Sequence, residues 1–526
     1  MRRSLYVVRS PRMLAIAAAS ALALAAPAGA GAQPVTAGAF ARAEVAHYAA
    51  KAHAKSSPLI GVDYQDCIDP AGNPAPGSTA WQERDAINQY CATLRLRDQV
   101  DNPAYNNANR AEGDNLYVAQ LQEQAGDGPG HVHGGLTTLV PGSQGADAFR
   151  ALDRWEQLRI GRDQRIKLTS TDGAQLRGHV FEPLGTPPRG GWPGVVITDG
   201  SVQGYEQLYY WAAEDLVAHG YEVMTYDVQG QGDSDLLPAN CTPSVSELET
   251  GSLCQGVPYQ QSYNFYQGAE DSLNWFDSAA NPYFKQLGTN KIALAGHSLG
   301  AAAVSEVGQC DKRVKTIVAW DDLDAITSCS GGGGETIPAK YRYTDGRLIH
   351  VPALALTNDY LFNPQPMGSQ PDAQSKAAGY DQIAKAGYDS MQVAFRGATH
   401  LTYTYVPYVL PASELAERFA SYYTVAWLDR YLKGDGGGFT RLTATKFDRS
   451  ADTDSIGAGL YDPQAALADP TDPTAGNVPY KIDGISIPDI VSFYYMSQYT
   501  LTPQHGTKVT CLDIRAHCPA KAPATP

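Results

Sequence analysis

Residues 291–304 have the sequence KIALAGHSLGAAAV, and the rest of the chain is best interpreted outward from them. Ile292–Ala295 is a short apolar run without alternation, which is typical of a strand buried on both faces of a sheet. Gly-His-Ser-Leu-Gly follows directly, and the alanine-rich Ala301–Val307 then has the spacing of a helix. The stretch therefore predicts a strand, a tight turn and a helix, with Ser298 at the apex of the turn.

A serine at the apex of such a turn is well placed to act as a nucleophile. Glycines two positions before and after it allow neighbouring backbone to approach closely, and the turn lifts the hydroxyl above the sheet edge. Backbone N–H groups at the start of the following helix favour developing negative charge. We predict Ser298 as the nucleophile and the Leu299 N–H as one oxyanion-hole donor. The alternative is an ordinary turn in which Ser298 caps the helix.

Apolar runs and helical stretches alternate on both sides of this turn. A hairpin is predicted first, with strands over Arg165–Ser170 and Gln175–Phe181. The other predicted strands are short, bounded apolar runs: Gly194–Ile197, Glu222–Tyr226, Ile292–Ala295, Val314–Ala319, Ala353–Leu356 and Met391–Phe395. The predicted helices are Leu208–His219, Ala269–Ala279, Ala301–Val307 and Ser413–Lys433. This order predicts an α/β fold with a mostly parallel central sheet and helices on both faces.

With these motifs the chain resembles the α/β-hydrolase superfamily over residues 165–433. The resemblance implies the α/β-hydrolase fold, with a serine, an acid and a histidine in that order along the chain. Asp359 leaves the second strand after the serine turn and is the acid that we favour, with Asp321 and Asp322 after the preceding strand as alternatives. His400 follows the last strand and is the implied base.

Local features resemble the secreted polyester hydrolases and cutinase-like esterases of that superfamily. They are the Gly-His-Ser-Leu-Gly turn, Trp320-Asp321 and Asn358-Asp359-Tyr360. The likeness implies that Trp320 flanks the substrate as an aromatic wall, with core packing as the alternative. The fold also implies a second oxyanion donor after Gly194–Ile197. We nominate the Ser201 N–H; the adjacent Asp199, Gly200 and Val202 are the other candidates.

The N-terminus has the pattern of an export signal. Four arginines precede the apolar run Met13–Ala26, which is shorter than the ~20 residues that a spanning helix needs, so residues 1–32 are predicted to be a cleaved signal peptide. We divide the remainder into an N-terminal extension (33–150), a catalytic domain (151–435) and a C-terminal tail (436–526) that wraps onto it. That esterase branch has no counterpart to the extension or the tail.

The 8 cysteines agree with export, because an even number in a secreted chain predicts disulfides. Couples that are close in sequence are favoured, with buried free thiols as the alternative. The favoured couples are Cys67 with Cys91, Cys241 with Cys254, Cys310 with Cys329, and Cys511 with Cys518.

Composition narrows the function further. A formal net charge of −15 argues against nucleic acid or an anionic membrane as a partner. Gly230 and Gly232 could suggest a dinucleotide-binding loop, but the third glycine of that motif is missing and no helix is predicted to begin there. We therefore expect no cofactor. We also expect no metal. The sequence predicts a secreted serine hydrolase that acts on small-molecule or polymeric esters through an acyl-enzyme. A serine peptidase or amidase, and a non-catalytic binding protein of this fold, are the alternatives.

Overall fold

The computed structural model describes residues 161–201, 206–235, 262–329, 337–360, 373–404, 414–447, 460–461, 477–478, 485–492, 494–516 and 518. Ten strands form one sheet. In chain order they are β1 (Gly161–Thr169), β2 (Gln175–Pro183), β3 (Trp192–Thr198), β4 (Glu222–Tyr226), β5 (Leu287–His297), β6 (Val314–Trp320), β7 (Ala353–Tyr360), β8 (Ser390–Thr399), β9 (Gln498–Leu501) and β10 (Val509–Cys511).

The spatial order of these strands is β1-β2-β4-β3-β5-β6-β7-β8-β9-β10. The six strands from β4 to β8 in this order run parallel. Both edges of the sheet are antiparallel, through the β1–β2 hairpin at one side and β9–β10 at the other. Two further strand pairs lie outside this sheet, Lys446–Phe447 with Ile485–Ser486 and Leu460–Tyr461 with Asn477–Val478.

Helices connect the parallel strands. The α-helices are α1 (Tyr210–Ala218), α2 (Ser262–Phe276), α3 (Leu299–Cys310), α4 (Ala378–Lys385), α5 (Glu414–Leu428), α6 (Gly437–Leu442) and α7 (Ile487–Ile490). Short 3₁₀ helices cover Glu206–Tyr209, Ala339–Tyr341, His400–Tyr403 and Ile514–Ala516, and a π-helical turn, Asp429–Lys433, follows α5.

Alternate residues of each central strand enter different hydrophobic clusters on the two faces of the sheet. On β5, Ala293 and Ala295 pack in the cluster that contains residues of α1 and α5, whereas Ile292 and Leu294 pack with residues of α2 and α3. A strand that is buried on both faces has no polar side to alternate with. This explains why the central strands appear in the sequence as unbroken apolar runs.

The predicted α/β fold with a mostly parallel sheet is confirmed. Each predicted strand lies within or largely within an observed one, and the hairpin pairs Arg165 with His179 in antiparallel register. The main difference is in the C-terminal tail. The tail was predicted to wrap onto the catalytic domain, and its residues Gln498–Leu501 form β9, which pairs with β8 and widens the sheet.

Two of the predicted disulfides are present, Cys310–Cys329 and Cys511–Cys518. The couples Cys67–Cys91 and Cys241–Cys254 lie outside the described residues, as do the predicted signal peptide and N-terminal extension. Within the described part of the chain, none of the helices combines the length and apolar character needed to cross a membrane.

The disulfide between Cys310 and Cys329 should stabilise the region around the serine turn, because it joins the end of α3 to the loop that follows β6. Its partners are 19 residues apart. A closed loop of this size is worth about 3 kcal/mol in the free energy of unfolding. We expect the Cys310→Ala/Cys329→Ala double variant to lose about that much in urea denaturation, and peptide mapping without reduction to join the two residues. Free thiols at both positions would contradict the assignment.

Candidate functional site

Ser298 lies where β5 turns into α3. It has φ 56° and ψ −121°, and its N–H donates to the carbonyl oxygen of Trp320 at 3.0 Å. A Cβ on Gly300 would collide with the carbonyl oxygens of Thr198 and Asp199, so only glycine allows this close approach. The turn therefore fixes the serine at the carboxyl ends of the parallel strands, between β3 and β6.

Asp321 is the first residue after β6, and it lies beside this turn. Its carboxylate Oδ2 accepts a hydrogen bond from His400 Nδ1 at 2.6 Å. Ser298 and Asp321 are also the two non-glycine residues with positive φ in the part of the chain that the structure describes. Strained backbone of this kind clusters at functional sites. Two independent features, the hydrogen bond and the strained backbone, thus point to the same corner of the sheet.

The acid that we favoured from sequence, Asp359, is buried near the end of β7. The carboxylate hydrogen-bonded to His400 Nδ1 in this geometry is that of Asp321, the alternative named above. The main chain holds Asp321 at this position. β6 is the direct neighbour of β5, and the Ser298 N–H donates to the carbonyl oxygen of Trp320, the residue before Asp321. The loop after β6 thus carries its carboxylate beside the serine turn, where it accepts the hydrogen bond from His400.

The carboxylate of Asp321 is held from its other side as well. Thr357 donates its hydroxyl to Oδ1 at 2.7 Å, and Lys376 Nζ lies 3.4 Å from the same oxygen. Burial alone would raise the pKa of Asp321. The Lys376 ammonium, the hydrogen bond from His400 and the Thr357 hydroxyl together hold it well below its usual range. Asp321 is therefore an ionised acceptor for the imidazole.

A chain of hydrogen bonds links three loops of the site through His297. The Gly200 N–H donates to the Tyr209 hydroxyl at 2.8 Å, and this hydroxyl lies 2.9 Å from His297 Nδ1. His297 Nε2 lies 2.8 Å from the His400 carbonyl oxygen. Because that oxygen can only accept, Nε2 carries the proton and Nδ1 accepts from the tyrosine. Burial and the nearby His400 lower the pKa of His297 to about 3, so it stays neutral.

The same chain of hydrogen bonds restricts which backbone N–H groups can serve as oxyanion donors. The Gly200 N–H is already used by Tyr209 and is not available to a substrate. A Cβ on Gly200 would lie 3.2 Å from Ser298 Cβ, which places this loop directly against the serine. Ser201 is the next residue, and with Leu299 at the start of α3 it remains our predicted pair of donors.

Trp320, predicted from the resemblance as an aromatic wall of the substrate site, is buried in the core. Its side chain is 0% exposed, and its indole Nε1 donates to Thr424 of α5 at 3.2 Å. Tyr209 and Tyr403 stack against it with ring centroids 6.3 and 6.5 Å away. Trp320 is the last residue of β6, so its side chain points into the cluster beneath α1 and α5 rather than out of the sheet edge. The core-packing alternative is the observed one.

Three contributors to the site were not predicted from sequence. Tyr209 and Thr357 act through their hydroxyls, and Lys376 through its ammonium group. The strand end that carries Thr357 was visible in the sequence, but no motif marks Tyr209 or Lys376. No group of histidine, cysteine, aspartate or glutamate that could hold a metal ion occurs among the described residues.

Comparison with known proteins gives a partial likeness to a hydrolase. No protein-family model matches the chain. A protein named thiohydrolase apmlB, from Arthrinium phaeospermum, is 28% identical over 160 residues, which is 30% of this chain and 43% of that protein. The chain thus spans less than half the length of this relative. The likeness suggests hydrolytic chemistry without indicating the bond that is cleaved.

The two candidate acids can be separated by the reactivity of Ser298 toward a fluorophosphonate. Asp321→Asn should slow labelling by up to about 10⁴-fold, because an amide cannot stabilise the imidazolium and favours the wrong histidine tautomer. Asp359→Asn is the matched control and should cost far less, since the carboxylate hydrogen-bonded to His400 Nδ1 is that of Asp321. The reverse ranking, measured by mass spectrometry of the labelled protein, would restore Asp359 as the acid.

The hydroxyl of Tyr209 should matter for stability, because Tyr209→Phe removes a partner from both Gly200 and His297. Buried polar groups left unsatisfied cost about 1–3 kcal/mol in the free energy of unfolding, which urea denaturation measures. Tyr380→Phe serves as control, because the Thr500 hydroxyl that it abandons still has Thr510 at 3.2 Å. Equal losses in the two variants would show that the Gly200–His297 bridge has no special weight.

Proposed function

We propose that this chain is a serine hydrolase of the α/β-hydrolase type that cleaves carboxylic esters through an acyl-enzyme, with Ser298 as nucleophile, His400 as base and Asp321 as acid. One observation carries the proposal. The 2.6 Å hydrogen bond from His400 Nδ1 to the buried Asp321 carboxylate lies beside a serine that is strained at the start of a helix. Nucleophile, base and orienting acid are thereby supplied by neighbouring loops.

The hydrogen bond to Asp321 determines how His400 works. Because Nδ1 donates to the carboxylate, Nε2 is left to accept the proton of the Ser298 hydroxyl. The serine oxygen attacks the ester carbonyl carbon, and the Leu299 and Ser201 N–H groups stabilise the resulting oxyanion. The imidazolium, stabilised by Asp321, gives its proton to the departing alcohol. A water molecule, deprotonated by the same imidazole, then hydrolyses the acyl-enzyme.

A thioester is the second candidate substrate, because the partial relative is named a thiohydrolase. The same acyl-enzyme serves both substrates, and only the leaving group differs. A thiol with a pKa of ~8.5 leaves as a thiolate without first receiving a proton, whereas an alcohol needs one. Thioester cleavage therefore depends less on the proton that His400 returns.

Secretion is part of the same proposal. The disulfides Cys310–Cys329 and Cys511–Cys518 support folding in an oxidising compartment, and the N-terminal sequence has the signal pattern described above. We infer that the protein acts outside the cytoplasm, on small-molecule or polymeric esters.

A panel of acyl p-nitrophenyl esters, acyl thioesters and aminoacyl p-nitroanilides tests the proposal. The wild-type protein should cleave esters or thioesters much faster than anilides. Ser298→Ala should lower kcat by about 10⁶-fold, the cost of losing a catalytic serine, and should leave thermal unfolding unchanged. Ser305→Ala is the matched control, because Ser305 lies on the same helix and is engaged only within the protein interior. Faster cleavage of anilides would favour the peptidase alternative, and no turnover of any class would favour a binding protein.

A further inference from the structure

Lys376 is a buried cation next to the proposed acid. It precedes α4, and its side chain is 6% exposed. Its ammonium donates to the carbonyl oxygen of Asn358 at 2.6 Å and lies 3.4 Å from Asp321 Oδ1. A lysine is almost never fully buried unless an opposite charge compensates it. The compensating charge here is a carboxylate that also serves His400.

The two oxygens of Asp321 are divided between two sets of partners. Oδ2 takes the His400 imidazole, and Oδ1 takes the Thr357 hydroxyl and the Lys376 ammonium. Lys376 therefore does not compete with the histidine for the same oxygen. It can compensate the charge of the carboxylate while leaving the histidine hydrogen bond intact.

The C-terminal segment 494–500 holds Lys376 in place. The ring of Tyr495 lies over the ammonium, 4.9 Å from ring centroid to Nζ, at a distance suited to a cation–π interaction. Met496 donates its N–H to Ala373 at 2.9 Å. β9 begins in the same segment, and its residues Gln498–Thr500 pair with β8, the strand that leads to His400. The segment thus touches the lysine loop and the histidine strand together.

We propose that Lys376 is a positioning residue that keeps Asp321 charged and directed at His400, and that the C-terminal segment 494–500 is part of the catalytic apparatus because it clamps Lys376. This inference rests on the proposed function. It concerns a lysine and a segment that do not contact the reacting atoms and that act through Asp321.

The expected effect on pH dependence follows from charge balance. His400 must lose its imidazolium proton before it can act as a base. With Lys376 present, that loss leaves the Asp321 carboxylate beside a cation. Without Lys376, deprotonation of His400 leaves a buried carboxylate with no cation beside it. The Asp321–His400 pair therefore keeps its proton to higher pH. Removing the lysine therefore moves the acid limb of kcat/KM upward in pH.

Other titratable groups face this pair and have to be controlled. Burial and the Asp321 charge raise the pKa of Asp322 to about 7, so this neighbour titrates within the same range. The remaining groups in electrostatic contact with the pair, with Asp322 or with Lys376 are Asp324, His297, Tyr403 and Tyr495. Burial raises the pKa of Asp324 and, to well above 10, that of Tyr403, while His297 is neutral. Asp322 is thus the main competing group, and an Asp322→Asn background removes it.

The test compares the pH profiles of Lys376→Met and Lys376→Arg, in the wild-type and Asp322→Asn backgrounds, in the full-length protein. The Lys376 ammonium and the Asp321 carboxylate are opposite charges 3.4 Å apart, a separation at which a charge moves a titration by about 1–3 units, so Lys376→Met should move the acid limb of the Asp321–His400 pair upward by up to that much. Lys376→Arg keeps the charge and should leave the limb near its wild-type position. Lys385→Met removes an equal charge from an exposed site on α4 and should not move it. An unmoved limb in folded Lys376→Met would overturn the proposal.

Two variants of Tyr495 test whether its ring clamps Lys376. Tyr495→Phe keeps the ring face over the ammonium and should keep the position of the limb, whereas Tyr495→Leu removes it and should move the limb in the direction of Lys376→Met. If the acid limbs of Tyr495→Phe and Tyr495→Leu lie at the same pH, the C-terminal segment 494–500 does not act through Lys376.

A readout that does not need turnover separates this inference from the proposed function. The low-field proton resonance of the His400–Asp321 hydrogen bond can be titrated in a Ser298→Ala background. The resonance should be observed in the protein that retains Lys376, and the pH at which it titrates should be higher in Lys376→Met. If wild-type protein cleaves no substrate, the proposed function fails alone. If it cleaves esters and neither the limb nor the resonance responds to the lysine, the positioning role fails alone.

Discussion

A buried carboxylate remains charged only when the protein supplies compensating partners, and the arrangement around Asp321 depends on this constraint. Its partners come from three separate parts of the chain: Thr357 at the end of β7, Lys376 before α4 and His400 after β8. Each partner is itself buried, so none could be held there by solvent. Satisfying this one charge thus fixes the relative positions of three connecting loops.

The parallel sheet makes that convergence possible. Parallel strands deliver the loops at their carboxyl ends to one edge, and neighbouring strands deliver neighbouring loops. β5 provides Ser298 and β6 provides Asp321, while the Gly200–Tyr209–His297 chain connects the loop after β3 to the loop after β8. The backbone N–H of Ser298 is also bound to the residue before Asp321. The relation between serine and acid is therefore built into the main chain.

Much of this arrangement could be predicted from sequence, and the part that could not has a common cause. Ser298 and His400 follow apolar runs whose burial on both faces makes them recognisable, and the strained serine turn has its own glycine pattern. The acid was harder, because Asp321 and Asp359 each follow a predicted strand. Which carboxylate meets the histidine is decided by a side-chain hydrogen bond between residues 79 positions apart, which no local pattern shows. The role of Trp320 could not be decided from sequence for a similar reason, since periodicity does not show which side of a strand end faces the core. No local sequence pattern marks Lys376, because its role depends on contacts with residues about 20, 55 and 120 positions away along the chain.

The position of β9 has a consequence for the order of synthesis. The serine, the acid and the histidine all leave the ribosome well before the strand that pairs with β8 and before the tyrosine that covers Lys376. A nascent chain thus carries all three residues of the proposed triad while lacking the segment that completes the sheet on that side. If the clamp acts as proposed, the pairing of Asp321 with His400 acquires its full electrostatic support only after this last segment has been translated.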